Sequence, residues 1–342
     1  MDNLTTIGLD ISKRAFHMVR LDETNTVDLR RKFRRAQLGV FFEKLDGCTV
    51  VMEACGSAHY WARKFEAMGH AVKLLPAQHV KGYLRGQKND FNDALAIAEA
   101  SIHGSIRPVM IKTVEQQDEQ ARHRMRSLLI RDRVALSNHI RSFLYERGIV
   151  FALGISNIDK QVPGILEDAE NGLTETSREL LDRLYRQFKV LSDEVRWFTQ
   201  TIEKRAKEDE VATRLMELPG VGPIVSSALK SWMGDGKQFK KGRDASAALG
   251  VVPRQNSTGG KIKLLGITKK GDTYVRSLVI HGARAALMRA ANKNDPLSLW
   301  VNRIKERRGY NKATVALANK LIRMAWVIVA RGEHYRPQAM IV

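Results

Sequence analysis

Thr5–Ile11 reads TTIGLDI, and Cys48–Ala54 reads CTVVMEA. Both are short apolar runs rich in β-branched residues, which predicts strands. Each carries one carboxylate against its pattern: Asp10 inside the first run and Glu53 near the end of the second. A carboxylate in an apolar strand is costly unless it is paired or holds a cation. Around these runs, Ala15–Asp22 and Thr26–Lys32 follow at hairpin spacing. Ala71–Leu75 is a third apolar strand, stopped by Pro76. Gln37–Leu45, Ser57–Met68 (ending at Gly69) and Asn92–His103 have helical periods. Strands alternating with helices predict a mixed sheet covered by helices.

Asp90 and Asp93 stand three apart at the start of the last of these helices, so both project from one face. With Asp10 and Glu53 they form a set suited to two Mg²⁺ ions, which prefer carboxylate oxygen and water. Two metals about 4 Å apart stabilise the attacking and leaving oxygens of phosphodiester chemistry. Singly, each residue has an ordinary reading. Asp10 could open a turn into Ser12-Lys13, Glu53 could pair with an Arg, and Asp90 or Asp93 could cap a helix. The order strand-Asp, strand-Glu, helix-Asp-x-x-Asp is far more specific than any one of them.

The chain has 342 residues, enough for two or three domains. Lys plus Arg number 57 against 37 Asp plus Glu, a net charge of +20. Folding needs no such excess, so the expected partner is a polyanion, nucleic acid before acidic membrane. A hydrophobic share of 44% argues against bulk disorder. Two cysteines, Cys48 and Cys55, exclude a disulfide scaffold and a four-cysteine zinc site. No run approaches the roughly 20 apolar residues of a membrane span. The opening MDNLTTIGLDIS lacks the layout of a signal peptide. The expectation is a cytoplasmic, nucleic-acid-binding protein with no membrane partner.

Glu115 to about Arg147 reads as a long Arg-rich helix. Residues 148–172, with Gly154, Pro163 and Gly164, read as irregular and as a domain boundary. Leu181, Leu184, Phe188, Leu191, Val195, Phe198 and Ile202 then form a heptad seam. That seam fits either an antiparallel helix pair within the chain or a coiled coil between chains. The expected division is 1–110, 111–208 and 209–342.

Leu218-Pro219-Gly220-Val221-Gly222 lies between helical stretches and is similar to the turn of a helix-hairpin-helix. Gly220 and Gly222 would there offer backbone N–H groups to a phosphate. A packing corner between helices would use the same glycines. Lys230 to Arg276 holds eleven Lys or Arg against three Asp. Within it, Ser257 lies in RQNSTGGK, residues 254–261. Gly259 and Gly260 would let a phosphodiester approach, and Arg254, Lys261 and Lys263 would neutralise its charge. An activated serine hydroxyl can attack phosphorus, although Ser-Thr-Gly-Gly alone is ordinarily a turn. Thr273–Arg331 reads as helices. The nine histidines, His17 among them, show no metal-binding spacing and read as surface or structural; the five tryptophans read as core.

GLDISK, VMEACG and KNDFNDA, in that order, resemble the catalytic core of RuvC-like nucleases of the RNase H fold. More narrowly they resemble the DEDD recombinases of bacterial insertion sequences, which include the Piv and MooV DNA invertases. The resemblance continues through LPGVGP, ALGVVPRQNSTGGK and ITKKGDTYVR, nearly the whole chain. It implies an α/β plus α fold: a RuvC-like sheet, a helical middle and a mainly helical C-terminal domain. It implies a transposase or site-specific recombinase in which Asp10, Glu53, Asp90 and Asp93 hold Mg²⁺ and Ser257 is the nucleophile, with Thr258 as the alternative. The basic blocks add Lys269, Lys270 and Arg276 to the nucleic-acid-binding candidates. Donor and target DNA are the implied substrates, with an element-encoded noncoding guide RNA. A homo-oligomer, dimer or tetramer, with composite sites between protomers, is also implied. Two other classes remain open: a junction-resolving nuclease that uses water, and a non-catalytic nucleic-acid-binding protein.

Overall fold

The computed structural model describes residues 5–87, 89–102 and 106–337. Lys88 of the KNDFNDA motif and His103 lie outside the described residues. By contact density the chain forms two units, the first ending at Val114 and the second starting at Glu115.

In the first unit, strand alternation decides which side of the sheet receives the carboxylates. The strands are β1 (Thr6–Ile11), β2 (Ala15–Leu21), β3 (Val27–Arg34), β4 (Thr49–Glu53) and β5 (Ala71–Leu75), in the order β3-β2-β1-β4-β5. β1 runs antiparallel to β2 and parallel to β4; β4 and β5 are parallel. Ile7, Leu9, Ile11, Phe16, Met18, Val50 and Met52 form one buried layer with Leu38, Phe42, Trp61 and Phe65. The last four belong to α1 (Arg35–Glu43) and α2 (Ala58–Ala67). Because side chains alternate, Gly8, Asp10, His17, Val19, Val51 and Glu53 take the opposite face. After α3 (Ala77–Val80), that face is covered by α4 (Asp90–Ile102). Ala94 and Ala98 of α4 pack on Val19 and Leu21, and Ala96 and Ile97 on Val51 and Leu75.

The second unit is helical. Its helices are α5 (Val114–Tyr145), α6 (Ile155–Glu167), α7 (Glu175–Glu208), α8 (Glu210–Met216), α9 (Pro223–Met233), α10 (Gly242–Ala248), α11 (Thr273–Ala290), α12 (Pro296–Arg308) and α13 (Tyr310–Arg331). Between α10 and α11 the chain forms a hairpin of β6 (Pro253–Gln255) and β7 (Leu264–Ile267). Residues 148–172, expected to be irregular, hold α6, with Pro163 inside it. Burial of Ile158 and Val162 against Ile140, Leu144, Leu181 and Phe188 offsets the helix-breaking residues. Contact density places this segment within the second unit.

The heptad seam finds its partner inside the chain. Arg147 bonds Ser177, Arg126 bonds Thr199 and Arg205 bonds Glu119. One number falls as the other rises, which is the register of an antiparallel α5–α7 pair. Leu181, Phe188, Val195 and Ile202 are buried.

α13 has the length and hydropathy of a membrane span. Here Leu317, Leu321, Ile322 and Ala325 of α13 pack with Leu215, Leu229, Val279 and Leu287 in the core of the unit. Trp61 and Trp326 are core residues as expected, whereas Trp197 is 56% exposed.

Candidate functional site

Asp10 lies on the central strand, and in the register of β1 with β2 it stands opposite His17. The β1–β4 ladder runs to Leu9 opposite Met52, so Glu53 on β4 falls one step further, beside Asp10. α4 closes over this group. Asn89 caps it: its side-chain oxygen accepts from the Asn92 N–H at 2.9 Å. That cap leaves Asp90 and Asp93 free of the capping role.

The carboxyl of Asp10 is pushed up to about 6, by burial first and then by Asp93, Asp90 and Glu53. Asp93, Asp90 and Glu53 thus lie near enough to Asp10 for their charges to raise its pKa. His17 joins them, and the sequence reading missed it. His17 is 6% exposed, its Nδ1 has no hydrogen-bond partner, and it lies 3.4 Å from Oδ2 of Asp90. Asp10, His17 and Asp90 each offer a ligand atom within 4.8 Å of the others. Crowded carboxylates beside an unpartnered buried nitrogen form a donor set that fits a divalent cation.

Ser257 belongs to the second unit, on the exposed hairpin. Gly259 and Gly260 have φ of 53° and 74°, and the Lys261 N–H donates to the Thr258 carbonyl at 3.0 Å. Two successive positive φ values give the tight hairpin turn that glycine allows without strain. Thr258 and Lys261 pair across this tip, and Ser257 sits one residue below it. The Ser257 Oγ accepts from Gln255 Nε2 at 2.9 Å and from the Lys263 N–H at 3.3 Å. Both partners are donors, so neither of them accepts the hydroxyl proton.

The other candidates separate by environment. Arg254, Lys261, Lys263, Lys269 and Lys270 are exposed. Arg276 was expected to meet nucleic acid, but it is 8% exposed. Its guanidinium donates to the carbonyls of Leu249 and Lys270 and to Thr273 Oγ1. Arg276 therefore ties the hairpin base to α11. Gly220 is a packing residue: a Cβ there would lie 2.1 Å from the Gly282 carbonyl oxygen. Gly222, at the exposed start of α9, meets no such neighbour.

Beside the hairpin is a cleft of about 1500 Å³ that no sequence motif announced. Leu264, Leu265, Trp300 and Met324 line its apolar parts. Lys241, Arg243, Arg303, Lys312, Lys320 and Arg323 supply charge, and among the described residues no Asp or Glu lines it. Lys320 lies 4.4 Å over the Trp300 ring. Elsewhere in this unit, His123 is buried between Tyr274 OH at 3.0 Å and Ser227 Oγ at 2.9 Å, and Ser227 donates to Glu119 at 2.8 Å. Every polar atom of that trio has a partner, so it serves as a structural tie.

A sheet that gathers carboxylates, joined in one chain to a helical unit with a cation-lined cleft, is suited to chemistry on nucleic acid. Comparison with known proteins makes this specific. The family described as "Transposase IS116/IS110/IS902 family" matches residues 212–296, and the DEDD transposase family of IS110 matches residues 7–147. A probable family 20 transposase of Pseudomonas aeruginosa is 42% identical over 98% of this chain and 99% of its own length. The transposase for insertion sequence element IS1111A of Coxiella burnetii is 41% identical over 98% of this chain and 92% of its own. The transposase for insertion sequence element IS1328 of Yersinia enterocolitica is 39% identical over 97% and 98%. The chain belongs to the IS110 family of DEDD insertion-sequence transposases.

Proposed function

We infer that the protein cleaves and rejoins DNA strands through a divalent-metal site built from Asp10, Glu53, Asp90 and Asp93, with Ser257 as nucleophile. The observation that supports the metal site is the grouping of Asp10 and Asp90 ligand atoms within 4.8 Å, together with the raised pKa of Asp10 to which Asp93, Asp90 and Glu53 contribute. Strand order and mixed pairing support an RNase H-like reading of the first unit. The bound ions, two Mg²⁺ in this reading, would lower the cost of ionising the attacking hydroxyl and of charge on the leaving oxygen.

The covalent step is an exchange of esters. Ser257 Oγ forms a bond to phosphorus, its proton passes to a base, and the bond from phosphorus to the leaving strand oxygen breaks. That oxygen takes up a proton. The reverse step, with a strand hydroxyl from the other duplex, reseals DNA without ATP because the ester bond is kept. Thr258 is the alternative nucleophile; its hydroxyl, a secondary alcohol, is the more hindered of the two.

The exposed cations of the hairpin, Gly222 at the start of α9 and the basic cleft between β7 and α13 would receive donor and target DNA and an element-encoded guide RNA. Base pairing by that RNA would read sequence while the protein reads backbone and shape. Several strand cuts per exchange call for a homo-oligomer, a dimer or tetramer, working in the cytoplasm on the nucleoid. Purification from cells carrying the whole element tests the RNA: one defined element RNA should copurify, and its digestion should stop recombination. Full activity after complete RNA removal would show that the protein reads sequence itself.

A further inference from the structure

We propose that His17 is a ligand of the metal centre, giving one of its two positions a nitrogen donor and a preference for Mn²⁺-like ions over Mg²⁺. The proposal rests on the four-carboxylate reading of the same site.

Three observations place the imidazole there. His17 is the direct antiparallel partner of Asp10, so the two side chains leave the sheet on the same face. Its residue is 6% exposed, yet Nδ1 has no hydrogen-bond partner. The nearest charge is Asp90 Oδ2 at 3.4 Å, and Asp10 completes a set of three ligand atoms within 4.8 Å of one another.

A buried ring nitrogen without a partner costs stability. A hydrogen bond to Asp90 would remove that cost, but the 3.4 Å contact is not made as a hydrogen bond. A cation between the two would remove it as well. Ligand atoms about 2.0–2.2 Å from one ion stand roughly 3–4 Å apart, and the 3.4 Å between His17 Nδ1 and Asp90 Oδ2 falls in that range. Phe91 packs edge-on to the His17 ring, with centroids 4.9 Å apart and planes at 81°, and so holds its orientation. For Nδ1 to coordinate, the ring proton sits on Nε2.

The consequence is selectivity. Mg²⁺ takes oxygen ligands and retains water, whereas imidazole favours first-row transition ions. A site with one nitrogen among carboxylates therefore gains affinity for Mn²⁺ relative to Mg²⁺.

The test uses the full chain, Mn²⁺ as probe and electron paramagnetic resonance as readout. Wild type should bind Mn²⁺ with an echo modulation from a directly bonded nitrogen. His17→Phe keeps the ring packing against Phe91 and removes the donor. It should lose the nitrogen modulation, weaken Mn²⁺ about tenfold, and change Mg²⁺ affinity, measured by competition, by less than threefold. His17→Gln replaces the nitrogen by an amide oxygen and should likewise lose the modulation; it carries the test alone if His17→Phe does not fold. Mn²⁺ bound to wild type without nitrogen modulation, or modulation surviving in either variant, overturns the proposal and leaves the carboxylate site standing. Absence of Mn²⁺ binding to wild type overturns both.

Discussion

Gly8 of β1 and Ala94 of α4 are in backbone contact: a Cβ on Gly8 would lie 2.2 Å from the Ala94 carbonyl oxygen and 2.7 Å from the Ala98 Cβ. This contact seats α4 against the strand that carries Asp10, and so fixes the distance of Asp90 and Asp93 from it. Gly8→Ala must push the helix away or unseat it. Overpacking of this kind costs about 1–3 kcal/mol. The variant should lose divalent-cation affinity even where circular dichroism shows the fold retained. Unchanged affinity would mean that the helix is not held by this contact.

The raised pKa of Asp10 makes a signed prediction for the metal-free protein. Its folded pKa, about 6, lies above the model-compound value of 3.8. Ionising it therefore costs the folded state nothing below about pH 3.8 and the full penalty above about pH 6. Asp10→Asn removes that charge. It should raise the metal-free melting temperature at pH 7.5 by roughly 2–4 °C, with no gain at pH 4. Mg²⁺ should stabilise wild type at pH 7.5 and leave the variant nearly unchanged, and strand cleavage by the variant should be lost.

His123 predicts the opposite pH response in the second unit. Burial pushes its imidazole down to about 4, from 6.5. The folded unit holds His123 neutral, so its contribution is complete above pH 6.5 and is lost as pH falls towards 4. Amide exchange in α9 and α11 should accelerate over that window by an amount worth on the order of 2–3 kcal/mol. His123→Gln should flatten the dependence. A wild-type profile that is flat between pH 7 and 4.5 would contradict the buried neutral imidazole.

The basic cleft gives a test by salt. Arg303 and Lys312 line it without an acidic neighbour among the lining residues. If each meets a phosphate, alanine at either position should weaken DNA binding for all sequences alike. It should also reduce the slope of log affinity against log salt by about one. Wild-type slopes in both variants would place the nucleic acid elsewhere.

The first unit was readable because its signals are local. Period-two runs give the strands, and Asp10 and Glu53 break those runs visibly. His17 escaped because a histidine on a half-buried strand is common; only the register opposite Asp10 gives it a role. The antiparallel hairpin signal could have supplied that register. The second unit was less legible. Apolar burial overrode Pro163 and Gly164 to make α6, and the α5 partner of the heptad seam lies far upstream in sequence. Arg276 looked like one more cation in a basic run, and only the fold shows its carbonyl partners. The cleft draws its lining from positions 241 to 327, which no local pattern links.

The central claim is a covalent serine intermediate in a transposase that also carries a carboxylate metal site. Its most direct test is denaturing electrophoresis of protein incubated with Mg²⁺, element DNA and element RNA, followed by peptide mapping of any adduct. Ser257→Ala hardly changes an exposed hairpin and leaves Asp10, Glu53, Asp90 and Asp93 intact, so loss of the nucleophile separates from loss of metal. The account predicts a protein–DNA adduct on Ser257 in wild type and Thr258→Ala, and none in Ser257→Ala. Phosphate mapped to Thr258 would move the role by one residue. Cleavage without an adduct under any trapping condition would contradict the account and point to a nuclease that uses water.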